Sequence, residues 1–306
     1  MILFKIYKIK MKKNAKKKEE KKPKEEKKPA DPRKVVLITG CSRGIGYTLV
    51  DKLLEKKTKL RIIMTCRNDE KGQQLYKELC EKYPEDVERF FYQQLDITDE
   101  TSIANLLEFI KKNFKKFDYL VNNAGYSSTG RDFNEEICEE TFKVNYTGTV
   151  GFTEKMFGNI NKNGKIIFVT AKSGSAAKLK NDNLIAKFKN AKNVDDIAKL
   201  GEKFKKSIQE EKTEAEGWYK NCFAISKLLL NYYAKLVIKK REISRESISV
   251  FAVHPGWCKT DMGGPHAPLE PSEGAERIIY LLELPDIVNK EYQGKFFDEN
   301  KVTPLE

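Results

Sequence analysis

Four consecutive apolar residues, Val35-Val36-Leu37-Ile38, run directly into Thr39-Gly40-Cys41-Ser42-Arg43-Gly44-Ile45-Gly46. An unbroken apolar run of this length predicts a strand buried on both faces, the habit of parallel sheets covered by helices on each side. The glycines that follow allow a tight turn, close approach of backbone to a phosphate group, and close packing of the next helix on the strand. The first turn of that helix offers free N–H groups and the positive end of its dipole to an anion. A glycine cluster alone is a weak signal. Placed between a buried strand and a helix, it restricts the chain to α/β architectures that bind a phosphate-bearing ligand.

Beyond this point strands and helices alternate. A helix through Leu49, Leu53 and Leu54 precedes a strand over Leu60–Cys66. A helix over Gln73–Tyr83 leads to a strand near Arg89–Leu95, and a helix over Ser102–Phe114 to the strand Tyr119-Leu120-Val121. The pattern predicts a helix over Glu136–Phe157, a strand over Ile166–Val169, a helix over about Tyr219–Lys240 and a strand over Ile248–Val253. Such alternation implies right-handed crossovers and a Rossmann-type, doubly wound parallel sheet in one domain, with ligands beyond the carboxyl ends of the strands.

Charge separates an appendage from this domain. The net charge is +13, but residues 1–34 hold 15 Lys and Arg against 5 Asp and Glu, so the tail carries +10 of it. Residues 16–32 alternate Lys and Glu and repeat the unit Glu-Glu-Lys-Lys-Pro, ending at Pro23 and again at Pro29. Too little apolar surface is present there to offset ordering entropy, so residues 1–33 are expected to be disordered alone and residues 34–306 to form the domain. Clustered Lys suits an acidic partner, either an acidic protein tail or an anionic surface. With aromatics limited to Phe4 and Tyr7, specific nucleic-acid recognition is not expected. The first ten residues are too short and Lys-interrupted for a secretory signal, and Met11 is an alternative start. No apolar run reaches the length of a membrane span. Six scattered cysteines and two histidines, His254 and His266, lack metal-ligand spacing; they read as reduced thiols in a cytoplasm-like compartment and no metal site.

The Thr-Gly-x-x-x-Gly-Ile-Gly loop resembles that of the short-chain dehydrogenase/reductase family. Further matches follow in order: Leu95-Asp96, Asn122-Asn123-Ala124-Gly125, Asn145, Lys227 and Pro255-Gly256 with Thr260. The resemblance covers nearly everything from Val35 onward. It implies a dinucleotide held by Gly40, Ser42, Arg43, Gly44, Ile45 and Gly46, with Asp96 and Ile97 beside the adenine. It further implies that Asn123, Ala124 and Gly125 line the central crevice and that Asn123 steadies the strands. Lys227 then bonds the nicotinamide ribose, and Pro255, Gly256 and Thr260 meet the carboxamide end.

Cofactor choice follows from charge. The second strand ends Thr65-Cys66-Arg67-Asn68, with no carboxylate, and Arg43 sits inside the glycine loop. Two guanidiniums favour a 2′-phosphate over a free ribose, hence NADP(H).

The family reduces carbonyls with a Tyr four residues before its Lys and a Ser after the fifth strand. Counting back from Lys227 gives Phe223, and the strand Gly164–Thr170 leads to Ala171, so both reacting hydroxyls are replaced. Lys227 and Asn145 remain of the catalytic set. General acid catalysis contributes roughly 10²–10⁴ in rate. The expectation is therefore an NADP(H)-binding, carbonyl-reductase-like protein that is inactive or severely impaired, a pseudoenzyme docked through its tail. The alternative is an active NADPH-dependent reductase with another proton donor: Thr170, Ser173, Tyr219 on the same helix face, or water ordered by Asn145 and Lys227. An insertion over residues 178–217, with Ile197, Leu200, Phe204 and Ile208 at helical spacing, and the motifs Glu216-Gly217-Trp218 and Pro255-Gly256-Trp257 with Thr260-Asp261-Met262, resemble the monomeric carbonyl reductases. A monomeric core is expected.

Overall fold

The computed structural model describes residues 31–128, 133–286 and 290–305. Most of the basic tail lies outside them, while Arg33–Glu306 forms one compact unit. Among the described residues eight strands make the sheet: β1 (Lys34–Ile38), β2 (Leu60–Cys66), β3 (Phe90–Gln94), β4 (Phe117–Asn122), β5 (Ile160–Val169), β6 (Ser249–His254), β7 (Lys295–Asp298) and β8 (Lys301–Thr303). Their order is β3-β2-β1-β4-β5-β6-β7-β8, all parallel except the last pair. The chain works outward from β1 to β3 and then crosses back to β4, which opens a crevice at the carboxyl ends of β1 and β4. The Rossmann-type sheet expected from the alternation is present.

Helices cover both faces. On one side lie α1 (Gly44–Glu55) and α2 (Asp69–Lys82). On the other lie α3 (Glu100–Asn113), α4 (Glu135–Phe142), α5 (Thr149–Met156), α6 (Asp182–Lys189), α7 (Val194–Gln209) and α8 (Cys222–Val237). The short α9 (Arg241–Arg245) follows, and α10 (Pro271–Glu283) returns to pack beside α1. Strand β1 serves both cores: Val35 and Leu37 join the α8 side, while Val36 and Ile38 join the α1 side. Each such buried aliphatic contributes about 1.5–3 kcal/mol, which makes β1 the keel of the domain.

Two expectations are corrected, and two strands are added to those expected. The helix expected over Glu136–Phe157 is broken by a π-helical turn, Lys143–Gly148, between α4 and α5. At its end a Cβ on Gly148 would sit 2.3 Å from the Lys143 carbonyl oxygen, so the widened turn depends on glycine there. Tyr219 is not on the helix face of Phe223: α8 begins at Cys222, capped by Asn221, whose side chain accepts from the Ala224 N–H at 2.7 Å. Strands β7 and β8 did not stand out in the sequence, although Glu299 and Asn300, both at positive φ, mark a two-residue hairpin turn.

The insertion holds α6 and α7. Phe204 of α7 stacks on Phe142 of α4 at 5.7 Å and meets the buried Trp218 edge-on at 5.2 Å. No helix among the described residues is long and apolar enough to cross a membrane.

Candidate active site

A cleft of about 550 Å³ opens at the carboxyl ends of the strands, and nearly every residue singled out in the sequence faces it. Its floor is built around Asn123, which follows β4. The Asn123 side chain donates to the Thr39 and Gly40 carbonyls at 2.9 and 3.0 Å, while the Asn123 and Ala124 N–H groups both donate to the Thr39 hydroxyl at 3.0 Å. The glycine loop is thereby tied to the β4 loop. A Cβ on Gly46 would lie 2.4 Å from both the Asn123 amide and the Gly40 carbonyl oxygen, and Gly40 holds φ +70. These two positions require glycine.

Helix α1 starts with its N–H groups free of any side-chain cap, and no acid sits in its first turn. Its positive end faces the cleft beside the exposed guanidiniums of Arg43 and Arg67. Arg43 pairs with Asp261 at 3.3 Å. Asp96 is turned inward on its own loop, accepting from the Thr98 N–H and hydroxyl at 2.8 Å each. Ile97, Pro255, Gly256 and Thr260 line the same cleft. The Thr260 methyl packs on Gly44, which leaves 3.2 Å for any added Cβ.

At the far end the chemistry thins out. Lys227 of α8 is buried and donates to the Val169 carbonyl at 3.0 Å, and burial pulls its pKa down to about 8. Phe223, one turn earlier, puts its ring centroid 5.6 Å from that ammonium. Ala171 also faces the cleft. The loop after β5 is fixed in place: Asn231 donates to the Gly174 carbonyl at 2.9 Å, and a Cβ on Gly174 would meet the Leu228 nitrogen at 2.5 Å.

The alternative proton donors fare differently. Thr170 sends its hydroxyl to the Val253 carbonyl at 3.3 Å. The Tyr219 hydroxyl reaches the Ser173 carbonyl at 3.5 Å, and Tyr219 does not line the cleft. Asn145 is bound up within the fold. Held in the π-helical turn and fully buried, it accepts from the Tyr126 N–H at 2.7 Å and donates to the Tyr126 carbonyl and the Ser226 hydroxyl. Its amide has no N–H left to order a water. Ser173 does line the cleft.

Several lining residues carried no strong sequence signal: Thr98, Tyr126, Lys172 and His254. His254 ends β6 with Nδ1 buried and unpartnered. Burial pulls its pKa down to about 4, with Arg277 and Lys172 adding to the shift and Asp298 and Glu299 opposing it. A polar residue closing an apolar strand at the ligand end of a parallel sheet was the available signal.

Residues 34–181 match the short chain dehydrogenase family. Carbonyl reductase [NADPH] 1 of Bos taurus is 30% identical over 275 residues, covering 88% of this chain and 97% of that protein. Among solved structures, salutaridine reductase from Papaver somniferum is 26% identical with a TM-score of 0.77, covering 87% of this chain and all of that one. The NADPH-bound carbonyl reductase from chicken fatty liver, 22% identical with a TM-score of 0.64, shares the fold. The order of motifs, the crevice they line and these likenesses together assign the chain to the short-chain dehydrogenase/reductase family.

Proposed function

We propose that this chain binds NADP(H) in a carbonyl-reductase-type cleft but reduces carbonyls poorly or not at all. The residues suit the cofactor. The uncapped start of α1, the space left by Gly40 and Gly46, and the guanidiniums of Arg43 and Arg67 together form an anion cradle with room for a 2′-phosphate. Bound NADPH would supply a hydride at the Lys227 end. The protein must supply the proton that the reduced oxygen takes up, and a donor to hold that oxygen as charge develops.

The observation that supports the reading is that Phe223 and Ala171 both line the cleft, Phe223 beside Lys227, and neither carries a hydroxyl. The phenyl ring fills space beside Lys227 and offers no proton. Lys227 keeps its carbonyl partner and can still orient a ribose. His254, held neutral near pH 7 by its lowered pKa, is a weak acid there. The test is NADPH oxidation with a panel of quinones and aldehydes, run beside a Phe223→Tyr/Ala171→Ser double variant. Activity appearing in the double variant alone supports the reading. Turnover by the unaltered protein at an ordinary enzyme rate overturns it and favours reduction through another donor such as Ser173, since the hydroxyl of Thr170 is already bonded to the Val253 carbonyl.

The tail supplies the second half of the proposal. Its +10 charge suits docking on an acidic partner, which leaves the domain as an accessory subunit. Cosedimentation with an acidic protein tail that is lost on deleting residues 1–33, and weakened by salt, would support docking. Helix α7, lying over α4 and α8, suits a monomeric domain, and light scattering tests that directly.

A further inference from the structure

The most telling feature outside the reacting end is the carboxylate that already occupies Arg43. Arg43 stands at the N-cap of α1 in extended backbone, with no capping bond from its side chain. Its guanidinium extends to the mouth of the cleft. Asp261 reaches it from the opposite wall at 3.3 Å, both side chains about 70% exposed (69% and 72%).

Asp261 is not a loose surface acid. Its loop is closed on itself by several bonds. The Trp257 indole donates to the Gly263 carbonyl at 2.7 Å, the Gly264 N–H to the Thr260 carbonyl at 2.8 Å, and the Gly263 N–H to the Thr260 hydroxyl at 3.1 Å. The Lys259 N–H anchors the loop to the Leu269 carbonyl at 2.8 Å. With the Thr260 methyl packed on Gly44, the carboxylate of the next residue is presented to the guanidinium from a fixed base. Among the described cleft residues the carboxylates are Asp96 and Asp261, and an Asp96 oxygen is already bonded twice by Thr98. Asp261 thus acts as a built-in anion beside the positive end of α1.

We propose that Asp261 is a specificity-setting residue, whose carboxylate competes with the cofactor 2′-phosphate for Arg43 and so limits the preference for NADP(H) over NAD(H). The inference rests on the reading that the cleft binds NADP(H). A doubly charged phosphate needs the guanidinium that Asp261 holds, and the carboxylate also repels it. NADH carries no such group, so it feels only the weaker repulsion of its pyrophosphate that NADPH shares. Exposed pairs are weak, so the competition is modest and fades with salt.

The test is a nucleotide titration at low ionic strength on the full chain, comparing unaltered protein, Asp261→Asn, Arg43→Gln and the double variant. Removing the carboxylate should tighten NADPH by about three- to tenfold and change NADH by less than about twofold. In the Arg43→Gln background the gain should fall below about twofold. An Asp261→Asn protein that binds NADPH no better, gains equally for NADH, or keeps its gain without Arg43 overturns the assignment. Failure of all four proteins to bind either nucleotide would overturn the cofactor reading and this inference with it. Normal NADPH binding without an Asp261 effect would overturn the inference alone.

Discussion

The Lys227 ammonium lies 5.6 Å from the centroid of the Phe223 ring, one helical turn away on α8, and its hydrogen-bond partner is the Val169 carbonyl. Lysine and ring share a helix face because positions four apart do so. That spacing would set a phenol beside the ammonium. Phe223→Tyr is therefore expected to place a hydroxyl next to a cation that favours its ionised form. Combined with Ala171→Ser, it should raise carbonyl reduction by about 10²–10⁴ in kcat/KM. Steady-state kinetics with one quinone and one aldehyde check this.

His254 should make stability depend on pH in acid. Its folded pKa, about 4, lies below the ordinary histidine value, so the unfolded chain binds the proton more readily. Its contribution is present above about pH 6.5, is lost as pH falls toward 4, and is flat below that. Asp298, Glu299, Arg277 and Lys172 are the charges acting on it. Thermal melts of the protein and of His254→Gln should keep a constant Tm difference above pH 6.5. Between 6.5 and 4 the unaltered protein should lose ground to the variant.

Gly46→Ala should damage the cofactor loop. The new methyl would lie 2.4 Å from the Gly40 carbonyl oxygen, which is backbone and cannot swing aside. Overpacking of this kind costs roughly 1–3 kcal/mol. Urea unfolding should show that loss, and NADPH titration should show weaker binding. An unchanged midpoint would contradict the packing described for Asn123 and Gly40.

Asn231→Leu should loosen the loop after β5. Asn231 is fully buried and its amide serves the Gly174 and Ala171 carbonyls, at 2.9 and 3.4 Å. An orphaned buried acceptor costs about 1–3 kcal/mol. The Asn231 Oδ1 is itself buried without a partner, and losing it puts the cost at the low end. Chemical denaturation measures the loss, and limited proteolysis should cut residues 171–175 sooner.

Much of this was legible before any fold was seen, because β1 and its glycine loop are local in sequence. Val35–Ile38 announce a strand buried on both sides, and the residues ending each strand must converge at one edge of a parallel sheet. Arg43 and Arg67 were found by that logic, while Asn123, Lys227 and Thr260 came from the resemblance to the family. The remainder depends on contacts between distant segments. The resemblance picks out Asn145, but only the fold reveals that Tyr126 and Ser226 take up its amide. The π-helical turn around it leaves no periodicity of its own. Tyr219 falls one turn before Phe223 by count, yet Asn221 starts the helix after it. Asp261 belongs to a motif, but its pairing with Arg43 arises from a loop some 220 residues away in the chain folding back onto α1.

The bonds from Asn231, with the contact of Gly174 on α8, have a consequence for any redesign of the site. They immobilise the loop that carries Ala171 whether or not a hydroxyl is there to be aimed. On the proposed reading, hydroxyls introduced at positions 171 and 223 would land on a scaffold already holding them in place, and restoring the chemistry would call for new atoms and no new architecture.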